Sequence, residues 1–193
     1  MTAILPAQLL YIAAQFTSID ECKGIITAVN IKQKDDVITI SSTDGYRAFR
    51  VSFEINEKYH MDEEELNLHY STFKKRIAKA QFVRIDSENA TFTGDKCETV
   101  IRRIEPVAGD YPKLNAPIWP DTYHNDPNAA IAFNPRFLAD YLTEMNRYND
   151  VPKVKMEVNK PSMPMQFSST VEAFGDEFET QYLLMPVQMR DNK

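Results

Sequence analysis

Apolar residues recur at helical spacing three times along the chain, and each time three runs of strand-like residues follow. The helical stretches are "QLLYIAAQF", "FKKRIAKAQF" and "FLADYLTEMNRY", with Pro6, Ser71 and Pro135 near the first helical positions, where such residues suit a helix start. Those starts fall 65 and 64 residues apart, which marks an internal repeat. The runs after the first helix are "GIITAVNIKQ", "DVITISSTD" and "YRAFRVSFEI". After the second come "FVRIDSE", "NATFTGD" and "ETVIRRIE", and after the third "KVKMEVN", "PMQFSSTVEAF" and "TQYLLMPVQM". Short entry strands such as "ELNLHY" and "AAIAF" precede the later helices. The predicted unit is strand, helix, three strands, present three times. The fold class that follows is α+β, with helices on one side of antiparallel sheets.

Two linkers divide the units. "NEKYHMDEEE" reads as a solvated acidic loop, and "GDYPKLNAPIWPDTYHNDPN" holds four of the 11 prolines. Proline at that density resists both helix and central strand, so the main boundary is placed there. Residues 1–120 are expected to form a domain of two units, and 121–193 the third unit.

Composition narrows the chemistry. Hydrophobic residues make up 43% of 193, enough for a core without staples. Cys22 and Cys97 lie far apart, outside any zinc or disulfide spacing, which suggests a reduced, cytoplasmic setting. No apolar run is long enough to span a bilayer, and the N-terminus lacks the pattern of a signal peptide, reading instead as an amphipathic helix with Gln8, Tyr11, Gln15 and Thr17 on its polar side. None of the five glycines forms a phosphate loop, and His60, His69 and His124 are scattered. Asp44 in "STDG" belongs to a hairpin turn, with Gly45 supplying positive φ. The acidic run Asp62, Glu63, Glu64 is a poorer metal site than a solvated loop, since neighbouring carboxylates rarely converge on one ion. No catalytic constellation emerges, and the expectation is a non-enzyme without cofactor or metal.

The net charge of −6 argues against nucleic acid on average, yet its distribution is uneven. Lys74, Lys75, Arg76 and Lys79 surround an apolar stripe of Phe73, Ile77 and Ala80 on the second helix, and no acidic residue falls between Tyr70 and Ile85. Such a helix is either a solvated face or a surface for phosphates. The third helix adds Arg136 and Arg147 beside Asp140 and Glu144.

Four fragments, in order, resemble one family. "ISSTDGYRAFRV" resembles the "ATDGHRLA" hairpin of the bacterial DNA polymerase III beta sliding clamp, and "GDYPKLNAPIWP" resembles the segment ending that clamp's middle domain. "IAFNPRFLADYL" is similar to the helix entry in the second half of its last domain, and "YLLMPVQMR" to its C-terminus. The resemblance implies a DNA-clamp fold of β-α-β-β-β units with helices facing double-stranded DNA without reading its sequence. Partners would be a DNA polymerase, other proteins carrying clamp-binding motifs, and a clamp loader. Carried over by motif, an apolar peptide pocket would comprise Thr43, Gly45, Tyr46, Arg47, Ala48, Pro120, Asn134, Phe137, Pro164, Leu183, Leu184, Met185, Pro186 and Val187. The DNA-facing set would be Lys74, Lys75, Arg76, Lys79, Arg136 and Arg147. Tyr46 stands where the family has His, and Gln188 and Met189 depart from its usual ending. Family chains carry twice as many units and close as dimers. Four copies of this chain would restore the same total, so a homo-oligomeric ring, a tetramer, is expected. The alternative is a non-encircling adaptor or decoy that binds the same peptides.

Overall fold

The computed structural model describes residues 2–114, 131–148, 152–158 and 163–187. Unit one contains β1 (Ala3–Pro6), α1 (Ala7–Ala14), a 3-10 segment (Glu21–Thr27), β2 (Ala28–Lys34), β3 (Val37–Thr43) and β4 (Arg47–Glu54). After the short β5 (His60–Met61), unit two runs β6 (Glu65–His69), α2 (Ser71–Lys74), β7 (Phe82–Ile85), β8 (Asn89–Thr93) and β9 (Val100–Arg103). Unit three has α3 (Pro135–Tyr148), β10 (Lys155–Glu157), β11 (Met165–Ala173) and β12 (Asp176–Leu184). Its expected entry strand is not formed over residues 131–133, and the rest of that segment lies outside the described residues. So does the boundary placed near residue 120.

Units one and two exchange entry strands. β1 pairs with β7, giving a five-stranded sheet β5-β1-β7-β8-β9, while β6 pairs with β2. The third unit adds to the sheet of the first: β12 lies antiparallel to β4, and the order becomes β10-β11-β12-β4-β3-β2-β6. Both sheets are antiparallel. Alternation along β4 and β12 sends Phe49, Val51, Thr180 and Tyr182 to one face, where the helices lie. There Phe16 sits 5.5 Å from Phe49 and 5.2 Å from Tyr182, and Tyr182 stacks on Tyr141 of α3 at 4.6 Å. One apolar core therefore runs through all three units.

Two helices differ from expectation. α1 is not amphipathic in use: Tyr11 and Thr17, placed on its polar side, are buried, because α1 contacts strands of both sheets and Tyr11 stacks on Phe92 of β8. The second helix is a single turn. Lys75 is already extended (φ −90°, ψ 111°) and Lys79 has φ 62°. Arg102 donates to the carbonyls of Thr72 (2.7 Å) and Lys75 (2.6 Å), and the Ile77 N–H goes to the Tyr11 hydroxyl at 3.2 Å. The backbone groups a helix would pair are thus satisfied elsewhere. Phe73, Ile77 and Ala80 still pack inward, so their spacing reports burial rather than a helix.

Candidate peptide-binding junction

The hairpin between β3 and β4 is set by its own sequence. Gly45 takes the first loop position at φ 92°, a conformation that costs glycine little. The Asp44 carboxylate accepts the N–H of Tyr46 (2.9 Å) and of Arg47 (3.1 Å), and Thr43 Oγ1 donates to Arg47 O at 2.7 Å. This rigid turn meets the end of β12: Leu183 faces Ala48, Leu184 faces Arg47, and the Met185 N–H donates to Tyr46 O at 3.0 Å.

Across the sheet face turned away from the helices, Thr43, Ala48 and Leu183 stand in one row on three neighbouring strands. Leu114 packs on Ala48 and Leu183. From there a cleft of ≈ 880 Å³ continues over polar side chains of β2, β3, β4 and β6, among them Asn30, Ser41, Arg50 and Asn67, under residues 109–114. At the sheet end the apolar side chains emerge: Tyr46 is 59% exposed, Met185 41% and Val187 51%.

Other expected pocket residues face differently. Leu184 is fully buried in the main core, on the helix side, and Pro164 is buried just before Met165, the register partner of Leu184. Arg47 is a bracket between units. Its Nε donates to Asp44 (2.9 Å) and an Nη to Asp140 of α3 (2.7 Å), while the guanidinium lies 4.7 Å from the Phe137 ring and 5.3 Å from that of Phe16. Burial works against its charge, but Asp140 and Asp44 outweigh it and leave its pKa raised. Phe137 stacks beneath Tyr46 at 6.1 Å and accepts the Tyr182 hydroxyl through its carbonyl at 2.9 Å. Asn134 uses Oδ1 to accept the Arg136 N–H at 3.0 Å, a helix-start role. Pro120 lies outside the described residues. Sequence reasoning did not place Leu114, Asp140 or Lys23 at this junction. Lys23 Nζ is 5.3 Å from the Tyr46 ring and donates to Asp44 O at 3.4 Å. Nothing in its sequence neighbourhood links it to a hairpin 21 positions away.

The basic residues form a patch rather than one helix face. Lys74, Lys75, Arg76 and Lys79 are all exposed, on the turn of α2 and the loop after it. Arg76 lies 4.7 Å over the Tyr148 ring, which brings this loop to the end of α3 carrying Arg147. Arg147 pairs with the buried Glu144 at 2.5 Å. Arg136, exposed, sits at the opposite end of α3. Among the described residues no three acidic, His or Cys side chains converge as a metal site would require, and no helix is long and apolar enough to cross a membrane.

No protein-family model matches the chain, and no curated protein sequence does. Solved structures do. A DNA polymerase III beta chain from Streptococcus pneumoniae superposes with TM-score 0.70 at 15% identity, over 98% of this chain and 65% of that one. The beta subunit from Borrelia burgdorferi, in complex with a natural product, gives TM-score 0.71 at 13% identity over 98% and 65%. The Pseudomonas aeruginosa sliding clamp bound to griselimycin gives 0.68 at 10% identity over 98% and 66%. This chain therefore spans about two thirds of the length of those clamps. With its repeated units, antiparallel sheets and helices on one side, it has the fold of the bacterial DNA polymerase III beta sliding clamp.

Proposed function

We propose that this chain is a sliding-clamp-like processivity factor that holds linear peptides of a DNA polymerase and other replication or repair proteins at the junction of β4 and β12. One observation carries this reading: the apolar cluster of Ala48, Leu183 and Leu114, in one row with Thr43, opens onto exposed Tyr46, Met185 and Val187. A short peptide can seat apolar anchors there, methionine adapting to their shape, and few such anchors carry most of the binding energy. The chain performs no chemistry in this reading. Copies assemble into a homo-oligomeric ring, with a tetramer matching the number of units in family rings, and the helix side faces double-stranded DNA in the cytoplasm. Lys74, Lys75, Arg76, Lys79, Arg136 and Arg147 then meet phosphates, while a clamp loader would open the ring.

A second reading, a non-encircling adaptor or decoy, is favoured by the sheet edges. In this chain β4 is already taken by β12, so a ring must close through other strands. Both readings share the peptide site. Its test is a fluorescence-anisotropy titration of a labelled clamp-binding-motif peptide against the full chain and its Tyr46→Ala/Met185→Ala variant. Saturable binding that the variant weakens at least about tenfold (two exposed side chains that the peptide would cover) is the expected result. No binding, or equal binding by both, overturns the assignment.

A further inference from the structure

Among the described residues β10 is an open edge of the seven-stranded sheet. The opposite edge, β6, is covered: the His69 N–H donates to Glu105 O at 2.8 Å, the Val107 N–H to Asn67 O at 2.9 Å, and Pro106 bridges to Leu68. The internal repeat shows what such an edge accepts. β7 holds in unit two the place of β10 in unit three, and β1 fills its outer side from Ala3 opposite Ile85 to Pro6 opposite Phe82. Among the described residues β10 has no such neighbour, and Met156, opposite Phe167 and so on the helix side, is 57% exposed.

We propose that a second copy of this chain fills that edge, β10 against β10 about a two-fold axis at Met156. An antiparallel pair centred on one residue sets Met156 against itself and Lys155 opposite Glu157 of the partner subunit, twice over. Lys155 and Glu157 share the outer face of β10, in contact at 2.9 Å, and the lysine side chain is 68% exposed. Opposite charges directly across two strands attract, and like charges repel. A lysine on an edge ordinarily deters other strands. Here the two-fold supplies a facing carboxylate, so the edge deters unlike strands and accepts its own copy. β9, which among the described residues is one of the two edge strands of the smaller sheet, carries Arg102 and Arg103 and no acidic residue, and has no such self-match. The pairing joins two three-unit chains into a six-unit arc and does not depend on the peptide site.

The test is the dimer dissociation constant of the full chain by analytical ultracentrifugation. Lys155→Glu alone and Glu157→Lys alone should each weaken the dimer about tenfold or more, since each creates two like-charge contacts. Lys155→Glu combined with Glu157→Lys should restore it. Independently, Met156→Cys in a Cys22→Ser/Cys97→Ser background should oxidise to a covalent dimer, because directly opposed antiparallel residues lie within disulfide reach. A monomer at all concentrations, a dimer indifferent to single reversals, or a double variant no better than the singles would overturn the proposal. So would a Met156→Cys chain that crosslinks to an Ile101→Cys chain but not to itself.

Discussion

Leu184 and Met185 are adjacent, both apolar, and do different work. Leu184 fills the core with no exposure, whereas Met185 leaves the sheet and stands 41% exposed beside Tyr46. Leu184→Ala should therefore cost about 2–5 kcal/mol through lost burial and a cavity. Met185→Ala should stay within about 0.5 kcal/mol. Urea denaturation of both variants checks the contrast, and a Met185→Ala chain as unstable as Leu184→Ala would place Met185 in the core instead. The motif "LLMP" did not reveal this division, since consecutive leucines carry no alternation from which to read a face. Arg47 was legible only through the family resemblance, as one residue of the hairpin motif. Its partner Asp140 was not, because the pair joins residues 93 positions apart. What the motifs did convey was the cluster itself: Tyr46, Ala48, Leu183 and Met185 do come together.

At the scale of elements, periodicity was reliable where an element has one buried face and misleading where its neighbours override it. Among the described residues the strand–helix–strands order is complete in unit one; unit three lacks its entry strand over residues 131–133, and in unit two α2 is cut to a single turn, since Arg102 and Tyr11, both from other elements, bond to backbone groups that a longer helix would use. This matters for DNA. Basic residues on a turn and loop can still meet phosphates, which are read by charge rather than by helix geometry. Lys75→Glu with Lys79→Glu should weaken retention on DNA and flatten its salt dependence while leaving peptide binding unchanged; retention equal to the original chain at every salt concentration would remove this patch from the interface. α3 carries a separate prediction. Burial raises the Glu144 pKa above its ordinary 4.5, with Arg147 and Arg76 opposing the shift only in part. A carboxyl raised in the folded state binds its proton more readily there than when unfolded. Its contribution to stability is therefore greatest below the unfolded pKa and is lost as pH rises through the folded value. Glu144→Gln should flatten the fall of stability across that window, as chemical denaturation at a series of pH values would show. An unchanged slope would mean that the buried carboxyl is not the group responsible.

For the whole molecule, the central fact is that unit three docks on unit one through a shared sheet. Five register pairs, Thr180 opposite Val51 through Leu184 opposite Arg47, join β12 to β4. Repeat spacing announced three units, but strand pairing between distant segments leaves no periodic mark, so the sequence could not say which edge the third would take. That choice makes the junction a place where a turn, a strand end and a helix start meet, and it gives the chain the fold of a clamp over part of a clamp's length. The most direct test of peptide capture at this junction is a backbone-amide chemical-shift map of the full chain titrated with a clamp-binding-motif peptide. Saturable shifts are expected at Gly45–Arg47, Leu114, Leu183–Met185 and Val187. Shifts confined to other surfaces, or none at saturating peptide, would contradict it.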